Sequence, residues 1–118
     1  METQFSRLIP IIGKEGLEAL STKTIMVVGV GGVGSACAEA LARGGIGKLI
    51  LVDNDEIKIS NINRQLFALH STIGMKKVYA AKKRLKDIRP DMYIATLPIF
   101  VSSETIEIIN QHKCDLII

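Results

Sequence analysis

The amino-acid sequence predicts an α/β fold, a doubly wound and mainly parallel sheet with flanking helices. Three observations predict it. Short apolar, β-rich runs alternate with longer stretches of helical periodicity, the pattern of βαβ units. A glycine cluster stands where the first run gives way to a helix. The composition, 47% hydrophobic and 23% charged over 118 residues, belongs to a globular chain rather than a disordered or fibrous one. One domain is expected.

Each element has its own local reason. Gly13 to Leu20, "GKEGLEAL", carries good helix formers and predicts an N-terminal helix over the sheet. Thr24 to Val28, "TIMVV", is too short for a helix and bounded by glycine, so it reads as a central buried strand. Val33 to Arg43, "VGSACAEALAR", is rich in alanine and small residues and suits a helix packed closely on a sheet, with Gly44, Gly45 and Gly47 ending it. Lys48 to Val52, "KLILV", is the second strand. From Lys76 to Arg89, Val78, Ala81, Leu85 and Ile88 recur at helical spacing, and Pro90 stops the helix. Tyr93 to Leu97 is the third strand, a helix capped by Ser102 or Ser103 follows, and Asp115 to Ile118 is the fourth strand. That last run, "CDLII", reads as a parallel strand needing neighbours on both sides, so the sheet is expected to be cut short after its fourth strand and the chain to be the N-terminal part of a longer protein.

"VVGVGGVGS" sets Gly29, Gly31 and Gly34 in a GxGxxG spacing between predicted strand and predicted helix. This is the Rossmann-like phosphate loop: one glycine for the turn, one for close approach of phosphate, one for helix–strand packing, with the helix N-terminus facing the anion. Asp53 ends the second strand, 19 residues after Gly34, where a carboxylate accepts hydrogen bonds from ribose hydroxyls. By themselves these residues imply a bound nucleotide, and NAD or FAD is the usual inference.

Beyond Asp53 the chain runs "DNDEIKISNINRQLFALHSTIGMKK". A hydride-transfer fold needs nothing there but a route to the next helix. Instead the stretch holds Asp55, Asn61, Asn63, Arg64, Gln65 and, after Gly74, Lys76 and Lys77. Arginine presents a planar fork suited to phosphate oxygens and lysine a mobile point charge, so the set points to a clamp for a triphosphate.

"GVGGVGS", then "LVDNDEIKISNINRQ", then "STIGMKK" with a helix ending in "IRP", resembles the ThiF-type superfamily of ATP-dependent adenylyltransferases, which includes ubiquitin-activating enzymes and activators of sulfur-carrier proteins. Within it, "FSR…IIGKEGLEAL" and "NINRQLFALHSTIG" resemble the tRNA threonylcarbamoyladenosine dehydratases, which activate a carboxylate on a modified adenosine of tRNA and let it cyclise with loss of AMP. The resemblance implies that residues 1–118 are the ATP-binding part of such a domain, with Gly29, Gly31, Gly32 and Gly34 cradling ATP and Asp53 holding its ribose. Asp55 would contact the nucleotide or order the loop, while Asn63, Arg64 and Gln65 approach the phosphates. Arg64 would stabilise charge at the reacting phosphorus, and Lys77, three residues after Gly74, matches the family lysine better than Lys76. Arg7 matches an arginine that in relatives reaches the ATP of the other subunit, which implies a homodimer. The resemblance also implies magnesium, whose aspartate ligand in relatives lies just beyond the strand matching "CDLII", so no metal ligand is expected within this chain.

Other readings stay open at this stage. An NAD-binding dehydrogenase domain accounts for Gly29 to Asp53 alone, and an activator of a ubiquitin-like sulfur carrier would share the nucleotide site. A non-enzymatic piece that binds nucleotide weakly is a third reading. The net charge of +3 permits an anionic partner, and the helix "KKVYAAKKRLKDIR" either meets tRNA phosphates or is a solvated face. Cys37 and Cys114, without CxxC spacing, read as small core residues, and His70 and His112 as surface or capping residues. No apolar run approaches the roughly 18 residues of a membrane span, and no signal peptide is evident, so a cytoplasmic location is expected.

Overall fold

The structure, a computed structural model, describes residues 1–118. Four strands, β1 (Thr24–Val28), β2 (Lys48–Val52), β3 (Tyr93–Leu97) and β4 (Leu116–Ile117), form one sheet in the order β3-β2-β1-β4. All pairings are parallel, with Thr24 opposite Lys48, Lys48 opposite Tyr93 and Ile25 opposite Leu116. The fold is Rossmann-like. Three predicted strands keep their bounds, and main-chain bonds from Asp115 to Thr24 and from Ile118 to Met26 extend the β4 ladder over the predicted run.

Strand alternation sorts the apolar residues between two faces. Ile25, Val27, Leu49, Leu51 and Ile94 point into the larger core, under α2 (Gly32–Arg43) and α3 (Lys77–Ile88), which supply Ala38, Ala42, Val78, Ala81 and Leu85. Met26, Ile50 and Val52 point to the other face, where Ile109 of α4 (Ile106–Asn110) covers them. The helices linking β1, β2 and β3 thus share one face and the link from β3 to β4 crosses to the other. That change of side puts the topological switch point at the C-terminal ends of β1 and β4, where open α/β sheets bind ligands.

Some elements depart from their predicted form. The first helix, α1 (Ile9–Ser21), starts earlier than Gly13 because Pro10 suits a first turn, and it bends where Gly13 adopts φ +73°. Ser102 does cap a turn, its Oγ accepting the Glu104 N–H at 3.2 Å, but regular helix begins only at Ile106. Cys37 and Cys114 are half-buried rather than core residues, since Cys37 lies beside rather than on the inward stripe of α2. β4 lies at a sheet edge, with Leu116 and Ile117 about half exposed.

Candidate nucleotide-binding site

The glycine loop leaves the C-terminal end of β1. Gly29 turns the chain at φ +91°, a conformation that strains any residue with a Cβ, and its N–H donates to the Val52 carbonyl at 2.7 Å. Gly34 acts through space instead: a Cβ there would stand 1.7 Å from the Gly29 carbonyl oxygen, so α2 closes on the loop only because that atom is missing. No side chain caps α2. The amides of Gly32, Val33 and Gly34 lie in its first turn, without a carbonyl one turn back, and the positive end of the helix dipole faces the same space.

Asp53 closes the far side of the loop. Its Oδ2 accepts the Val30 N–H at 2.9 Å and its Oδ1 the Asp55 N–H at 2.8 Å. The carboxylate therefore ties the end of β2 to the glycine loop, and each oxygen keeps a further lone pair for a hydroxyl. Between Gly29, Asp53 and Asp55 on one wall and Ile99, Phe100 and Val101 on the other lies an open groove of about 220 Å³. The apolar wall, with Phe100 largely exposed, was not anticipated from the sequence; the run "PIFV" after β3 is its only signal.

The polar loop is an excursion tied at its base. Glu56 and Lys76 form an antiparallel bridge, the Ile57 N–H donates to the Met75 carbonyl at 2.8 Å, and the Lys77 N–H donates to the Asp55 carbonyl at 2.9 Å. Asn61 is buried and builds the turn: its Oδ1 accepts the Lys58 N–H, and its carbonyl accepts the N–H groups of Arg64 and Gln65. Ser35, fully buried on α2, latches the loop down by accepting the Leu66 N–H at 3.4 Å while donating to the Gly32 carbonyl. Only its place in the first turn of an alanine-rich helix marks Ser35 in the sequence.

Together these contacts put the loop over the glycines. The side-chain nitrogen of Gln65 lies 3.6 Å from where a Gly31 Cβ would be, and the Arg64 stem 3.8 Å from that of Gly32. Arg64 is exposed; its Nη1 donates to the Ser60 carbonyl at 3.1 Å and to Asn63 Oδ1 at 3.0 Å, and the remaining donors of the fork face solvent. Lys77 is buried at the start of α3 and pairs with Asp55 at 3.7 Å, whereas Lys76 turns away to the Asn54 carbonyl. Gly29 to Gly34, Asp53, Asp55, Asn63, Arg64, Gln65 and Lys77 thus gather at one end of the sheet. Arg7 does not. Its segment docks through Phe5 against Arg89 and Gly45, at the N-terminal ends of the strands, and Arg7 is exposed without an ion pair.

No three His, Cys, Asp or Glu side chains converge as a metal site would require. Of the carboxylates at the groove, Asp53 is held by two main-chain amides and Asp55 by Lys77. These residues do not by themselves make a magnesium site. Beneath the loop, Glu39 of α2 and Arg84 of α3 form a cross-helix ion pair. The hydrogen bond from Arg84 holds the Glu39 carboxyl below its ordinary range against the opposing effect of burial.

Residues 5–118 match the ThiF family. The chain belongs to that family. It is 50% identical over 115 residues to the tRNA threonylcarbamoyladenosine dehydratase of Bacillus subtilis, covering 98% of this chain and 45% of that protein. It is 41% identical over 119 residues to a probable molybdopterin-synthase adenylyltransferase of Porphyra purpurea, covering 98% of this chain and 31% of that one. Among solved structures, Escherichia coli tRNA N6-threonylcarbamoyladenosine dehydratase in complex with ATP superposes with a TM-score of 0.93 at 32% identity, over 97% of this chain and 47% of that one. The chain spans just under half the length of the two dehydratases. No helix of this ThiF-family chain is long and apolar enough to cross a membrane.

Proposed function

We propose that residues 1–118 are the ATP-binding part of an enzyme that adenylylates a carboxylate, and that the carboxylate belongs to the threonylcarbamoyl group of a modified adenosine in tRNA. The observation that carries the first half is the seating of Arg64 and Gln65 directly over Gly31 and Gly32. Phosphates entering the glycine loop would meet helix amides on one side and the Arg64 fork on the other, with Lys77 at the same end of the sheet. The pyrophosphate of a redox dinucleotide is already met by the glycine loop and the helix end, so a second, cationic wall suits a longer phosphate chain better. The identity to a B. subtilis tRNA threonylcarbamoyladenosine dehydratase over nearly the whole chain supports the second half.

In the chemistry proposed, a carboxylate oxygen attacks the α-phosphorus, the bond to the bridging oxygen breaks, and pyrophosphate leaves with the electron pair. Negative charge grows on the phosphoryl oxygens and on the leaving group, and preorganised cations and N–H groups stabilise it without a protein nucleophile. Gly29, Gly31, Gly32 and Gly34 cradle the nucleotide, Asp53 accepts from the ribose, and Asn63, Arg64, Gln65 and Lys77 hold the phosphates. Asp55 positions Lys77. The activated carbonyl is then attacked from within its own substituent, which gives up a proton to solvent, and AMP leaves carrying the oxygen lost in the dehydration. Magnesium accompanies ATP, with its protein ligand outside these residues. Arg7, at the far end of the sheet from its own glycine loop, serves the site of a second subunit in a homodimer. The cytoplasm, where tRNA and ATP meet, is the proposed location.

A second reading has one observation in its favour, the 41% identity to a probable molybdopterin-synthase adenylyltransferase. There the acceptor would be the C-terminal glycine of a sulfur-carrier protein, bound to the same nucleotide site. ATP–pyrophosphate exchange by the full-length protein separates the readings. Stimulation by threonylcarbamoyl-modified tRNA is expected; stimulation only by a carrier protein overturns the RNA acceptor, and NAD binding without exchange overturns adenylylation.

A further inference from the structure

Seven cations lie on or beside α3, and their partners divide them. Lys77 pairs with Asp55, Arg84 with Glu39 and Arg89 with Asp91, while Lys76 donates to the Asn54 carbonyl and Lys86 to those of Pro90 and Met92. Lys82 and Lys83 have no partner and are exposed. They stand one turn after Tyr79, which is 47% exposed.

Lys83 also faces a groove. About 330 Å³ of open space lies between the turn at Ser71 and Thr72 and the α3 face that carries Lys83, Arg84 and Asp87. A second groove, about 470 Å³, runs along Asn63, Arg64 and Gln65. The two share Leu69 and Arg84 as lining, so they form one trough leading from the glycine loop outward along α3. Arg64 and Lys83 mark its course, with Arg84, already paired with Glu39, between them and Asp87 as the one carboxylate in its lining.

We infer that this trough binds the phosphodiester backbone of the acceptor RNA, with Lys83 in its lining and the adjacent, exposed Lys82 beside it neutralising phosphates outside the nucleotide site; the inference rests on the RNA-acceptor reading above. The charge supports it: exposed lysine and arginine positions along an open channel match a polyanion, and RNA interfaces are strongly positive. The cores of protein–protein interfaces are depleted of lysine, which argues against a protein in the same place. Exposed Leu69 and Tyr79 offer apolar and aromatic faces of the kind on which unstacked bases rest. A strand laid here runs toward Arg64, which brings a carboxylate-bearing nucleoside to the phosphorus it must attack.

The test is binding of threonylcarbamoyl-modified tRNA to the full-length protein across a salt series. The substitutions compared are Lys82→Gln with Lys83→Gln, and Lys14→Gln with Lys23→Gln on the exposed surface around α1, which remove the same net charge. The first pair should weaken tRNA binding several-fold and reduce the slope of log affinity against log salt by about 2, as two lost phosphate contacts require. ATP affinity should not move, and the second pair should leave the slope unaltered. An unchanged slope in the first pair, an equal fall in both pairs, or a change of oligomeric mass in the first pair with tRNA binding intact would each overturn the trough alone. Absence of any affinity of the wild type for modified tRNA would overturn the RNA-acceptor reading and the trough together.

Discussion

The two ends of the sheet are built from the same parts and differ in what fills them. At the C-terminal end, Gly29 turns at φ +91° and a Cβ there would touch nothing within 4 Å. At the N-terminal end, Gly45 turns at φ +102°, and the same atom would meet Leu17 at 2.9 Å and Phe5 at 3.9 Å. Arg64 stands beside the first glycine cluster exposed and with most of its fork free. Arg89 stands beside the second only 4% exposed, donating to the carbonyls of Ala42 and Ile46, paired with Asp91 and stacked 4.8 Å from the Phe5 ring centroid. One end is a filled cup that ties helix ends together. The other is the same kind of cup left open, and an open cup of amides and guanidinium is where an anion goes.

That contrast can be broken most forcefully at Arg89. Arg89→Ala leaves the Ile46 carbonyl without a donor and the Ala42 carbonyl with only the 3.4 Å bond from the Gly45 N–H; with the buried stem and its stack on Phe5 lost as well, the full-length protein should lose about 3–5 kcal/mol in urea unfolding. A loss below about 1 kcal/mol would mean that water satisfies those carbonyls and the end is not closed. Next is Arg64→Ala, whose effect should fall on chemistry alone. ATP–pyrophosphate exchange should drop by about 10²–10³-fold, or ~2.7–4 kcal/mol of transition-state stabilisation, while the unfolding midpoint stays in place. Normal exchange in this variant would remove Arg64 from the phosphate site.

The glycines sharpen the comparison on a smaller scale. Gly29→Ala and Gly45→Ala both force a Cβ into positive φ, at a cost of about 1–3 kcal/mol each. Gly45→Ala should lie at the upper end of that range because Leu17 must also move, with nucleotide affinity unchanged. Gly29→Ala should lose ATP affinity as well, measurable by calorimetric titration. Smallest is Glu39→Gln. Because the folded Glu39 carboxyl is held below its ordinary range by Arg84, its contribution is fully present above the unfolded pKa and is lost as pH falls through the folded one. Arg84 is partly solvated, so about 1 kcal/mol is expected at neutral pH. The variant should lose that much at pH 7 and show a flatter decline on acidification; an identical acid limb would mean the pair is screened.

Legibility followed the range of the forces involved. Thr24–Val28, Lys48–Val52 and Tyr93–Leu97 were bounded correctly because a β-rich run closed by glycine or proline is a local signal. The pairing of Gly29 with Gly34 was equally legible, since the spacing encodes a contact within one turn. Asn61 as a turn builder and Ser35 as a latch were not, because each acts through hydrogen bonds whose partners come from folding the loop back over α2. The half-burial of Cys37 and Cys114 was missed for a related reason: burial of a small residue depends on where its helix sits on the sheet.

By itself, then, the amino-acid sequence determined the alternation of strands and helices, the glycine loop, the acid after β2 and the residue types of the polar loop. Those are properties of neighbours along the chain. Only the tertiary structure decided which cations are already neutralised and which are free. Arg84 and Arg89 look alike in sequence to Lys83 and Arg64, and they part company only when Glu39 and the buried carbonyls of Ala42 and Ile46 arrive from distant segments. A charge without a partner inside the fold is the one most readily offered to a ligand, and that difference exists only in three dimensions.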